Sequence, residues 1–212
     1  MTKCPFSVIE SRWWDSGNHS VRSLFEAVAS IHYDNPSAFY YDMFADKSSL
    51  GSVLNSRGID GQSEVIYLAS HGDESGVAPG SGSKISRAEL RNILTYANSQ
   101  KQIRGLFLGT CLTGNAKVAN FLFKGAGTNL DWVAGYSNSV DWIDGSAIDM
   151  IFFSKLAELY RINKGKKKGK LTAIAMAHTA ATSMVKLVQG AHSTYGFNIY
   201  FCQNNKVTSM FK

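Results

Sequence analysis

The sequence predicts an α/β fold: a six-stranded, mostly parallel sheet with helices on both faces. Three observations lead there. Segments of strand and helix character alternate along all 212 residues. The strands are continuous apolar runs, as strands buried on both faces must be. Two of those runs, "VIYLASHG" from position 65 and "RGLFLGTC" from position 104, stop in polar, glycine-flanked tips. Parallel α/β sheets carry their sites beyond such carboxyl ends.

Taken in order, "FSVIESRWW" (6–14) is β-branched and aromatic and predicts the first strand. Val21, Leu24, Phe25, Val28 and Ile31 then recur at helical spacing within 20–33. "AFYYDMF" (38–44) predicts a second strand, with a short helix over 48–56, and "EVIYLAS" (64–70) a third. Ser86 and Glu89 form a capping box ahead of Leu90, Ile93 and Leu94, which opens another helix. "IRGLFLGT" (103–110) is the fourth strand, followed by a helix over 115–123, and "DWVAGYS" (131–137) is the fifth. Ile148, Ile151, Phe152, Leu156 and Leu159 share one helical face. A last helix covers 171–188, and "YGFNIYFC" (195–202) closes as the sixth strand.

Composition narrows the class. With 44% hydrophobic residues and no Pro/Gly/Ser linker, one domain over residues 1–212 is expected. Three unpaired cysteines argue against a disulfide framework and for a reducing compartment. The first residues lack a secretory pattern, and no run approaches the roughly 18 apolar residues of a membrane span. A cytoplasmic protein without a membrane partner is expected. The net charge of +6 is concentrated: Lys164, Lys166, Lys167, Lys168 and Lys170 supply five of the six charges. That run has no interleaved aromatics to stack bases, so it reads as a solvated loop and no nucleic-acid partner is expected. No His/Cys cluster has ligand spacing, so neither metal nor cofactor is expected.

The chemistry lies in the two strand tips. A thiol is a nucleophile as thiolate, and an imidazole beside it can take its proton. His71 and Cys111 end the third and fourth predicted strands, and if those strands are neighbours both side chains open onto one crevice. A helix is predicted shortly after Cys111, and helix amino ends favour negative charge. Gly72 allows close backbone approach, and its N–H together with that of Cys111 can cradle an oxyanion. Cys4 and Cys202 have no such context.

A strand ending "SHG", about forty residues, then a strand ending in a small residue, Cys and "xTG" resembles the caspase-like cysteine peptidases. The similarity is greatest to the bacterial CHAT-type and clostripain-like branches, and it extends over "AGYSNSVDWIDGSAIDMIFFSKL" (134–156). The resemblance implies a three-layer sandwich and an endopeptidase acting on a protein partner through an acyl-enzyme. It makes His71 the acid–base group, Cys111 the nucleophile, and Gly72 with Cys111 the oxyanion hole. It also implies a bacterial defence or cell-death setting. No sensor domain is recognisable in the chain, so a separate regulatory or sensor protein is expected. The caspase signature around the nucleophile is absent. Gly109 stands where many relatives carry an Asp that binds a basic P1 side chain, so that preference does not transfer.

Around the crevice two readings stay open for each candidate. Asp141, Trp142 and Asp144 either line a P1 pocket, as the resemblance implies, or simply start a helix, with Asp144 as its cap. Arg12 either reaches the crevice, where caspases hold an acidic P1 residue, or is a solvated strand-end charge. Two other functional classes compete. An amidotransferase-type hydrolase expects a glycine two residues after its cysteine and a late His-Pro-Glu; Thr113 holds the first position and the second is missing. A non-catalytic interaction module would keep the fold without turnover.

Overall fold

Five strands run parallel at the centre of the molecule, and an antiparallel pair extends one side. The computed structural model describes residues 3–80, 82–124 and 127–211. The parallel strands are β1 (Phe6–Ser11), β2 (Tyr40–Phe44), β3 (Val65–Ala69), β7 (Gly105–Gly109) and β8 (Trp132–Tyr136). Strand β9 (Phe197–Gln203) pairs antiparallel with β8, and β10 (Lys206–Ser209) antiparallel with β9. The sheet order is β10-β9-β8-β7-β3-β1-β2. It therefore has seven strands, not the expected six. The extra one, "KVTS", is a short, largely exposed edge strand that carries no apolar run to announce it.

Three further short strands form a separate sheet: β4 (His71–Asp73), β5 (Gly76–Ala78) and β6 (Ile85–Ser86), in the order β4-β5-β6. At two or three residues each, they are too short for periodicity to reveal.

Helices cover both faces, as expected. On one side lie α1 (Arg22–Tyr33), α5 (Trp142–Gly165) and α6 (Ala173–Leu187); on the other lie α2 (Lys47–Ile59), α3 (Arg87–Ala97) and α4 (Ala116–Phe123). The four-residue α7 (Gly190–Ser193) precedes β9. Alternate residues of each strand serve opposite cores. Val65, Tyr67 and Ala69 face one, while Ile66 and Leu68 face the other. This is the period of two that the pleat imposes.

The two cores differ in kind. The α1/α5/α6 side is aromatic: Phe6, Phe25, Tyr67, Phe107, Trp132, Tyr136, Phe152 and Phe153 are all buried there. Phe107 alone has ring centroids within 5.4 Å of Tyr67, Phe152 and Phe153. The α2/α3/α4 side is mostly aliphatic, built from residues such as Leu50, Leu54, Ile66, Leu90, Leu94 and Leu106.

Local start signals agree with the sequence. The Ser86 side chain accepts from the Glu89 N–H at 3.3 Å, and Glu89 Oε2 accepts from the Ser86 N–H at 3.0 Å, completing the expected capping box of α3. The first strand is shorter than expected. It ends at Ser11, because the chain turns away there and Gly80 packs on the Arg12 carbonyl. Among the described residues, no helix is long and apolar enough to cross a membrane.

Candidate active site

The placement of the two strand tips follows from sheet register. Strands β3 and β7 are adjacent and parallel, with Ala69 opposite Gly109. His71 and Cys111 each follow that matched pair by two residues, and both line one cavity. The cavity measures about 130 Å³, below the roughly 300–1,000 Å³ of small-molecule sites and suited to a single side chain.

Each tip is built by close backbone packing. After Cys111 the chain passes through Leu112 at φ 61°, a left-handed conformation that a side chain rarely adopts. Asn115 holds that turn by donating from Nδ2 to the Leu112 carbonyl at 2.7 Å, and it caps α4 by accepting from the Val118 N–H. Gly114 lies flat on β8: a Cβ there would meet Gly135 and Tyr136 backbone atoms at 2.1 Å. The Thr110 and Thr113 hydroxyls are hydrogen-bonded across the turn.

Gly72 joins the second tip to the first. A Cβ on it would lie 2.9 Å from Thr113 Cγ2 and 3.2 Å from Thr110 Cβ. The glycine is thus required by the neighbouring loop, a reason the sequence did not suggest. His71 itself starts β4, opposite Ala78, and is exposed, with its ring edge-on to Trp13 at 5.8 Å between centroids. The Cys111 Sγ lies 3.5 Å from the Val140 carbonyl oxygen. The other two thiols differ in setting. Burial pushes Cys4 up to about 12 and raises Cys202 as well, which disfavours the thiolate at both.

The remaining predicted residues divide. Asp141 and Trp142 line the cavity with His71 and Cys111, and Asp144 and Arg12 do not. Asp141, not Asp144, caps α5: its Oδ1 accepts from the Ile143 N–H at 2.8 Å and the Asp144 N–H at 3.1 Å. The Asp144 N–H and then the Ile143 N–H hold its carboxyl below the usual range. Asp144 instead accepts from the Tyr195 hydroxyl at 2.5 Å. Arg12 is exposed and donates from Nη2 to the Asp15 carbonyl at 3.4 Å. The early end of β1 turns it away from the crevice.

Three residues that sequence reasoning passed over complete the site. Trp13, which lines the cavity, is set by Glu10, a carboxylate wholly buried in β1. Glu10 accepts from Trp13 Nε1 at 3.3 Å, the Val21 N–H at 3.0 Å, the Ser20 hydroxyl at 2.6 Å and the Tyr41 hydroxyl at 2.7 Å. His19 lies outside the cavity lining but braces it: its ring is 5.7 Å from that of Trp142, and its carbonyl accepts from Trp142 Nε1 at 2.9 Å.

The third residue is Asp149, which lines the cavity from α5 and is only 4% exposed. Its Oδ2 accepts from the Tyr67 hydroxyl and its Oδ1 from the Tyr136 hydroxyl, each at 2.5 Å. Burial pushes its carboxyl up to about 7, against the opposing pull of the two tyrosine hydroxyls. Burial, and then Asp149 itself, raise both tyrosines well above their ordinary value. A sequence signal existed. Asp149 interrupts the buried stripe Ile148, Phe152, Leu156 of α5, where a charged residue is out of place. Tyr67 also accounts for Gly109, since a Cβ at 109 would lie 2.4 Å from its ring and hydroxyl.

Comparison with known proteins gives one line of support. No protein-family model matches the chain, and no curated protein matches it. Among solved structures, it is similar to the X-ray structure of an inactive zymogen of a C11 protease from Parabacteroides distasonis, with a TM-score of 0.51 at 13% identity. The match covers 96% of this chain and 63% of that one, so the chain spans under two thirds of its neighbour's length. The seven-stranded sheet flanked by helices is the caspase-like fold.

Proposed function

We propose that this protein is a cysteine endopeptidase that uses Cys111 as nucleophile and His71 as its proton-transfer partner. The observation carrying the reading is the register of β3 on β7, which puts both residues at equivalent positions beyond adjacent parallel strands and on one cavity. In the proposed reaction the Cys111 thiol gives its proton to the imidazole, and sulfur attacks the scissile carbonyl carbon. The backbone N–H groups of Gly72 and Cys111 stabilise the oxyanion. Collapse breaks the C–N bond, with the imidazolium protonating the leaving amine. Water, deprotonated by the imidazole, then releases the acid and the free thiol. No step calls for a metal or cofactor.

The proposal extends to context by resemblance: a regulated effector of the CHAT type, acting in the cytoplasm of a bacterium on a protein substrate, under a separate sensor protein. The test is cleavage of a denatured cell proteome by the purified protein, with peptide ends mapped by mass spectrometry. Cleavage that disappears in Cys111→Ala and His71→Ala supports the reading. A chain that cleaves nothing, and whose Cys111 resists alkylation at neutral pH, would instead be an interaction module.

A further inference from the structure

We propose that Trp13 is a positioning residue: it holds the His71 imidazole in place beside Cys111, and the buried carboxylate of Glu10 anchors it for that task. This rests on the reading of Cys111 and His71 as a catalytic pair. A base that serves a nucleophile is ordinarily oriented by a third group. Among the described residues the His71 imidazole makes no hydrogen bond, and the ring that meets it is that of Trp13, at 5.8 Å and 79°. An aromatic contact thus stands where a hydrogen-bonded partner would.

Sheet register delivers the three side chains in order. Glu10 on β1 lies opposite Ala69 on β3, and Ala69 lies opposite Gly109 on β7. Trp13, His71 and Cys111 follow these matched positions by three, two and two residues, and all of them line the same cavity. Trp13 sits in the irregular segment after β1, where a side chain left to itself would be free to turn. Gly80 presses on the backbone there: a Cβ at 80 would lie 1.8 Å from the Arg12 carbonyl oxygen. The ring of Trp13 packs edge-on to Trp14 at 5.6 Å.

Glu10 completes the restraint. Its Oε1 accepts from Trp13 Nε1 and the Val21 N–H, and its Oε2 from the Ser20 and Tyr41 hydroxyls, which fills the roughly four acceptor sites of a carboxylate. These bonds tie the start of the segment between β1 and α1 to its end. A carboxylate withdrawn from water is costly, and a leucine would fill the same place without that cost. What leucine cannot do is fix an indole N–H. A T-shaped aromatic pair biases a side-chain equilibrium by roughly two- to tenfold, which sets the size of the effect on His71.

The test reads the histidine and the thiol separately and needs no substrate. The full chain is labelled with 13C at histidine Cε1 and followed by NMR, with His71 assigned among the five histidines by its loss in His71→Ala. Iodoacetamide alkylation is measured from pH 5 to 9, with the Cys111 peptide quantified by mass spectrometry. Trp13→Leu should shift the His71 resonance, slow Cys111 alkylation at pH 7 by about two- to tenfold and move its pH profile toward that of His71→Ala. Trp13→Phe, a ring without the N–H, and Glu10→Leu, an indole without its anchor, should fall between. Glu10→Gln should restore the wild-type behaviour, because its amide oxygen can accept from Trp13 and Val21 while its NH2 donates to the two hydroxyls. Leu94→Ala, in the opposite core, should change neither readout. An unchanged His71 resonance and alkylation profile in Trp13→Leu overturn the proposal, as do equal changes in Leu94→Ala. Should Trp13→Leu fail to fold, Trp13→Phe decides, and a wild-type profile there overturns it. Wild-type alkylation identical to that of His71→Ala would sink the dyad reading, and this proposal with it.

Discussion

The two cores on either side of the sheet solve the same burial problem with different chemistry. The α2/α3/α4 core relies chiefly on leucine, isoleucine and valine, with Phe44, Phe123 and Tyr200 among them, and holds no buried carboxylate. The α1/α5/α6 core uses rings, and at its upper end two of them carry hydroxyls that converge on Asp149. An aliphatic core can only resist cavities. An aromatic core can also hold a charge, because a tyrosine packs like phenylalanine and still brings a donor to a buried carboxylate. The lesson is that the candidate site is continuous with one core and indifferent to the other.

Four substitutions test that contrast, and the largest effect belongs to the plain side. Leu94, fully buried on the inner face of α3, should cost about 2–5 kcal/mol when changed to Ala. Chemical denaturation measures this, and alkylation of Cys111 in the folded protein should keep its pH profile. A changed profile would mean that the two cores are coupled through the sheet.

Next comes Asp149→Asn, read through pH. Asp149 has a folded value of about 7 against about 3.9 for an unfolded aspartate. The folded chain therefore holds this proton more tightly. The stability it confers is present below about pH 4 and is lost as pH rises through 7, by a few kcal/mol. The wild-type protein should show that decline in denaturation midpoints between pH 4 and 8, and Asp149→Asn should show a flatter curve. Parallel curves would break the claim that one carboxyl distinguishes the aromatic side.

Tyr67→Phe sharpens the point by keeping the ring and removing one donor. A loss of about 1–3 kcal/mol at pH 8 is expected, shrinking at pH 5 where Asp149 is protonated. A loss equal at both pH values would assign the whole effect to packing. Least of all, Arg12→Ala should change stability by less than about 0.5 kcal/mol and leave any cleavage specificity as it was, because its guanidinium reaches only an exposed carbonyl.

Much of this architecture was legible in the sequence, for identifiable reasons. Continuous apolar runs revealed the buried strands, and Ser86 with Glu89 marked a helix start that the structure reproduces. His71 and Cys111 were visible because glycines and polar residues interrupt strand tips. What stayed hidden was pairing over distance. Tyr67, Tyr136 and Asp149 are separated by up to 82 positions, and each alone looks ordinary. Asp149 was hidden in a stripe where attention goes to Ile148 and Phe152. Arg12 and Asp144 fall outside the cavity lining, and chain position had left both readings open because it says which residues lie near a crevice but not where a turn aims them. Strands β4, β5, β6 and β10 were lost to their brevity.

The packing of Gly72 against Thr110 and Thr113 has a consequence for how the site breathes. With less than 3.3 Å between these atoms and a hypothetical Cβ, neither loop has room to shift a residue's width unless the other gives way. Gly114, pressed on β8, pins the far side of the same turn. The histidine-bearing and cysteine-bearing segments therefore behave as one mechanical part fixed to the sheet. A partner that pries on the exposed turn at Glu74 and Ser75 between β4 and β5 therefore pulls on the turn that carries Cys111.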